Sequence, residues 1–227
     1  MSDTPPTSKP TSKPMHKKRY VNGVMTPQGH VSFPHLVSPD TEGPYAKKKY
    51  HLTLIMDPKD IGKLKEAAEA CAKMAFPKLD LKDVKLPFKD GSRQDGKKGG
   101  EKYAGKVYIT IKSNNQPTAV DAALKPIECR QIHAGCIVRC RVAACSYLGT
   151  KTVVSESTGQ EYEKEMPGVS FFFDAGFPDN PKAVVQKVAE GEHWGGTNEG
   201  EDFGDESEPN RFDQAAQNVT VVEDCDI

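Results

Sequence analysis

The sequence predicts a mainly β protein, a small barrel or sandwich carrying one clear helix, flanked by a basic leader and an acidic tail. Three observations lead there. Between the ends, apolar residues recur mostly with period two, as strands require. One stretch alone switches to spacings of three and four. Gly- and Pro-rich turns separate the period-two runs. Several strands with a single helix pack as a barrel or a sandwich. An OB-type barrel closed by one helix fits that count. At 227 residues the chain suits one medium domain with tails.

Each element follows from local chemistry. Residues 1–19 hold Pro, Ser, Thr and Lys with almost nothing to bury, so they are expected to form a disordered leader. His30 and His35 fall in a Pro-rich stretch that reads as a loop. Lys49 to Met56 reads as a strand stopped by Asp57-Pro58. Asp60 is placed to cap a helix running to Phe76, with Ile61, Leu64, Ala68, Cys71 and Ala75 on one face and Pro77 ending it. Residues 86–104, with four glycines and many charges, read as a long polar loop. Lys106 to Lys112 alternates strictly and is a strand; Cys136–Leu148, Gly168–Phe173 and Val184–Val188 read as further strands. Residues 155–166 read as a hairpin connection or a surface loop. The domain is thus expected over 20–198. Residues 199–227, with ten acids against the single base Arg211, form an acidic tail expected to be disordered.

Composition narrows the function. The net charge of -1 conceals a division along the chain. Residues 1–150 carry 26 Lys and Arg against 14 Asp and Glu, while residues 151–227 carry 5 against 18. A cationic body with an anionic tail suggests nucleic-acid binding. No apolar run approaches the roughly 20 residues of a spanning helix, and no membrane role is expected. No secretory h-region follows the start, so disulfides are not expected among the six cysteines. None of these forms a Cys-x-x-Cys pair, and Cys136 and Cys140 read as small buried residues on one strand face. Phosphate-loop, His-Glu-x-x-His and Gly-x-Ser-x-Gly patterns are all missing from the sequence. Neither catalysis nor a cofactor is expected.

The candidate binding residues come from strand alternation. In the first case Val107, Ile109 and Ile111 turn to the core, while Lys106, Tyr108, Thr110 and Lys112 turn outward. In Cys136–Leu148, the face opposite the small apolar residues holds Arg139, Arg141 and Tyr147. Single-stranded nucleic acid needs cations along its phosphates and flat rings on which bases stack. Phe88, Arg93, Lys97 and Lys98 in the glycine-rich loop, and Lys49 in a triple-lysine run, extend this surface. Tyr108 and Tyr147 are expected to contribute more than Lys112, because rings distinguish single strands from duplex.

A series of short motifs adds to this reading. Val31-Ser32-Phe33-Pro34-His35-Leu36, the Tyr50–Met56 strand, Pro87-Phe88-Lys89-Asp90-Gly91, Ala134-Gly135-Cys136-Ile137-Val138-Arg139, Pro167-Gly168-Val169-Ser170-Phe171, Val185-Gln186-Lys187-Val188 and Gly195-Gly196 follow in this order. The series resembles the phage-encoded single-stranded DNA-binding proteins of OB-fold type over roughly residues 20–197. Phe172 to Ala183 is longer here than in members of that family. The resemblance implies a replication and recombination accessory protein that coats and protects single-stranded DNA in the bacterial host cytoplasm. It also implies that residues 199–227 meet partner proteins, and the charge division adds that they compete for the DNA face. The alternative is a structural or scaffolding protein of a virion or complex. A nuclease would need clustered carboxylates beside the basic face, and residues 122–155 contain only Glu128.

Overall fold

The computed structural model describes residues 17–41, 48–94, 100–154, 161–174, 184–192 and 194. The expected leader up to residue 16 and the tail of 199–227 lie outside these residues.

Ten strands and one helix follow in the order β1 (Tyr20–Met25), β2 (Gly29–His35), β3 (Tyr50–Met56), α1 (Gly62–Ala75), β4 (Lys89–Asp90), β5 (Val107–Ser113), β6 (Ala119–Val120), β7 (Pro126–Ile127), β8 (Ile137–Val154), β9 (Glu161–Phe173) and β10 (Val185–Ala189). Five of them close a ring. Antiparallel pairs join β2 to β3, β3 to β5, β8 to β9 and β8 back to β2, and one parallel pair joins β5 to β9. A five-stranded ring with this order is the OB-type barrel expected from the strand count.

β8 organises the rest. Along one edge it pairs first with β2 and then with β1; along the other it pairs with β10 and then with β9. Period two holds without a slip from Cys136 to Ser146: Cys136, Val138, Cys140, Val142, Ala144 and Ser146 are all fully buried. They meet Val31, Leu52, Leu54, Ile109, Ile111 and Phe171 in one core. α1 packs against β1, β8 and β9 with Leu64, Ala67, Ala68, Cys71 and Ala72 buried; of the face expected from spacing, Leu64, Ala68 and Cys71 are buried, while Ile61 and Ala75 are partly covered. It ends where Pro77 could no longer donate to the ladder, with the Phe76 amide donating to Ala72 O at 2.8 Å.

Several expectations require correction. Asp60 caps no helix through its side chain; Ile61 is the N-cap, and the Asp60 amide closes a turn on Asp57 O. His30 and His35 belong to β2, not to a loop, and β1 precedes it; Gly and Pro there mark bulges in a strand that hugs β8. β8 runs six residues beyond Leu148 and β9 begins at Glu161, so residues 161–166 of the expected 155–166 connection are strand, and 155–160 lie outside the described residues. The polar loop of 86–104 contains β4 and two short 3-10 turns, Gly91–Gln94 and Gly100–Tyr103.

Candidate nucleic-acid interface

Strand register places three rows of side chains on the outside of the barrel. His30, Ile55 and Tyr108 share the first row, Ser32, Thr53 and Thr110 the second, and His35, His51 and Lys112 the third. Phe172 on β9 continues the third row beside Lys112, followed by Ala143 on β8. From there the outer side of the β8–β9 hairpin carries Tyr147 opposite Gly168, then Lys151 opposite Lys164. The Tyr147 ring lies directly over Gly168, where any Cβ would collide with it.

Three aromatic groupings stand on this surface. The Lys49 ammonium sits 5.9 Å from the Phe172 ring centroid. His35 stacks on His51 at 4.6 Å, and the carboxylate of Asp40 lies within reach of both. In the third, the Tyr103 edge meets the Tyr108 ring at 5.1 Å, and Trp194 packs against this pair and stacks on His30 at 5.3 Å. The Tyr103 hydroxyl donates to Ser32 Oγ at 2.8 Å, and burial pushes its pKa up to about 12. Lys102 lies 4.8 Å from the Trp194 centroid and Lys89 lies 5.7 Å from that of Tyr108. Cations over ring faces are mutually attractive and leave the ring edges available.

The residues singled out from the sequence have separate fates. Lys49 and Lys112 come together with Phe172 on the outer face. Tyr108 does point outward, yet it is only 7% exposed, because Tyr103, Lys89 and Gln94 cover it; Gln94 Nε2 donates to its hydroxyl at 2.8 Å. The open ring expected between two cations is therefore a covered one. Tyr147 is half-buried on the hairpin and separated from Tyr108 by β9 and by Lys85, which bridges to Gly168. Lys106 pairs with Asp57 at 2.6 Å and holds that carboxyl below its usual range. Arg141 pairs with Asp174 at 3.5 Å over Gly23, tying β1 to the end of β9. Arg139 belongs to β8 opposite Gln186 of β10, and no described carboxylate pairs with it. Phe88 meets Phe171 edge to face at 5.9 Å and belongs to the core rim. The Arg93 side chain, Lys97 and Lys98 lie outside the described residues.

Sequence reasoning missed Phe172, Trp194, His51, Tyr103 and Phe33. Alternation could have found Phe172, since Phe171 is the inward residue of the Phe171-Phe172-Phe173 run. Phe33 stands out at 37% exposure on a bulge of β2, with a positive φ of 47°. Trp194 follows the last strand in a segment without periodicity, which no pattern flags. Among the described residues, two groups of side chains could hold a metal: His35, Asp40 and His51 on this face, and His133, Cys136 and Glu190.

Comparisons with known proteins place the chain in a family. The family profile described as Enterobacter phage Enc34, ssDNA-binding protein, matches residues 22–155. None of the curated protein sequences matches the chain. Among solved structures, the single-stranded DNA-binding protein from bacteriophage Enc34 in complex with ssDNA is similar at a TM-score of 0.45 and 17% identity, over 78% of this chain and 89% of that one. The single-stranded DNA-binding protein gp2.5 of bacteriophage T7 is similar at 0.40 and 15%, over 86% and 100%.

Proposed function

Because the chain belongs to the family of the Enterobacter phage Enc34 single-stranded DNA-binding protein, we propose that it binds single-stranded DNA without sequence preference and coats it during phage replication and recombination. It acts by binding and performs no catalysis. Its place of action is the cytoplasm of the bacterial host; among the described residues no helix is long and apolar enough to cross a membrane.

The observation that carries this reading is the sharing of one outer face by rings and ammonium groups. In the barrel order β2, β3, β5, β8, β9, the second and third strands and the hairpin between the fourth and fifth are where OB barrels take oligonucleotides. Here those elements present Lys112, Phe172 with Lys49, Tyr147, and the Lys151–Lys164 pair, while His51, 3% exposed, lies covered beneath His35. Stacking of a base on such a ring is worth roughly 1–3 kcal/mol and is tolerant of sequence. The ammonium groups follow the phosphates and add affinity that falls with salt. Lys106 and Arg141 contribute through the ion pairs that set the strand ends; Lys49 contributes directly, and Arg139, beside β10, lies off this face.

The acidic segment 199–227, with a net charge of -9, competes with DNA for the cationic face and is released to partner proteins when DNA binds. An anisotropy titration with labelled single-stranded and duplex oligonucleotides at two salt concentrations tests both ideas. Single strands should bind more tightly, and removal of residues 199–227 should tighten binding most at low salt, where charge attraction is least screened. Equal affinity for the two DNA forms removes the stacking role, and unchanged affinity on truncation removes the competition.

A further inference from the structure

We propose that His133, Cys136 and Glu190 form a binding site for a zinc-type divalent transition metal, which fastens the segment carrying Trp194 to the turn before β8. The turn is built for this. His133 and Cys136 are three residues apart, and the Cys136 amide donates to His133 O at 3.2 Å, closing a tight reversal that aims both side chains the same way. Gly135 within it has a φ of +98° and faces backbone: a Cβ there would strike Glu192 O, and one on Gly191 would strike Gly135 O. Two glycines thus let the 190–192 backbone lie against the turn, and that contact delivers Glu190.

The donor atoms converge as a ligand set does. His133 Nε2 is 3.1 Å from Glu190 Oε2, and Cys136 Sγ is 3.8 Å from the same oxygen. Tetrahedral zinc bonds of 2.0–2.3 Å place neighbouring N, O and S ligands about 3.3–3.5 Å apart, between those two separations. His133 Nδ1 lies 3.0 Å from Ala134 O, which can only accept, so Nδ1 carries the proton and Nε2 turns its lone pair toward the carboxylate. Two acceptors facing each other at this distance require a positive charge between them, a proton or a metal ion. Lys187 binds the other carboxylate oxygen, Oε1, and Gln131 O; it orients Glu190 while leaving Oε2 to the site. Imidazole, thiolate and carboxylate together form a donor set zinc uses, with a fourth position for water. Metal entry expels the Cys136 thiol proton to solvent. Glu190, with its side chain 68% exposed, gives the ion a path from solvent.

The consequence reaches the DNA face. The Trp194 amide donates to Ala134 O at 3.3 Å, and His30, on which Trp194 stacks, is 3.3 Å from Gly135 O through its Nδ1. Fixing Glu190 to the turn fixes the position of the chain's single tryptophan. The inference does not depend on DNA binding.

The test is a Co2+ titration of the chelator-treated full chain, read by absorption. One equivalent should produce thiolate-to-cobalt charge-transfer absorption in the near ultraviolet with tetrahedral bands in the visible, both lost when Zn2+ is added, and should alter Trp194 emission. Cys136→Ser should abolish the charge-transfer band, while Glu190→Gln, at an exposed side chain, should keep the fold and weaken Co2+ binding by about tenfold or more. His35→Asn should leave the band intact, because the other candidate group contains no thiolate. Absence of the band in the unaltered chain, its persistence in Cys136→Ser, or unchanged affinity in Glu190→Gln overturns the proposal.

Discussion

Phe33 combines backbone strain with an exposed ring. A positive φ in a bulky residue costs on the order of 1–3 kcal/mol and persists only when its surroundings enforce it. Here the enforcing feature is the bulge between Ser32 and His35, which turns the ring outward beside the His35–His51 stack. Phe33→Ala should weaken single-strand affinity by roughly 1–3 kcal/mol with a small change in thermal midpoint; unchanged affinity would remove Phe33 from the interface. The basic residues divide in the same manner. Lys112→Ala should reduce the slope of log affinity against log salt by about 0.7, as expected for one phosphate contact on a single strand. Arg141→Ala should leave that slope unchanged and lower the urea midpoint, since its guanidinium is committed to Asp174. A reversal of these two outcomes would refute the assignment of Arg141 as structural.

At the scale of elements, β5 illustrates what sequence conveys and what it leaves out. The Val107–Ser113 alternation correctly separated Ile109 and Ile111 from Tyr108 and Lys112. It could not convey that residues 89–94 and 100–103 fold back over Tyr108, because that cover is a long-range contact made by Gln94 and Tyr103. Likewise β8 was legible from its unbroken period two, whereas β2, interrupted at a bulge by Phe33-Pro34, read as loop, and β1 gave no signal. The helix was legible from its spacing, but not its cap, since Asp60 sits one residue too early. Local patterns record faces, and tertiary contacts decide which faces stay open. The cover over Tyr108 has a testable pH limit. The Tyr103 hydroxyl ionises near 10 when unfolded and at about 12 in place, held up chiefly by burial. Its contribution is therefore complete below about pH 10 and is lost as pH rises toward 12. Ultraviolet titration should show late-ionising tyrosines, Tyr103 and Tyr147 among them, and a fall in stability over that interval, and Tyr103→Phe should diminish the late step.

For the whole molecule, the division of charge acquires a physical place. The cationic body is a barrel whose outer face carries Lys49, Lys112, Lys151 and Lys164 among rings, and the acids of residues 199–227 can neutralise that face. Arg139 and Arg141, legible in sequence as one cationic face with Tyr147, stand instead where β1 and β10 flank β8. The barrel's curvature, absent from any flat reading of alternation, moves them away from β5. Single-stranded DNA is proposed to lie across β3, β5, β9 and the β8–β9 hairpin. Hydrogen–deuterium exchange of the full chain with and without a thymidine oligonucleotide tests it most directly. Protection should appear in Tyr50–Met56, Val107–Ser113 and the Lys151–Lys164 end of the hairpin; protection confined to β6, β7 and β10 would contradict it.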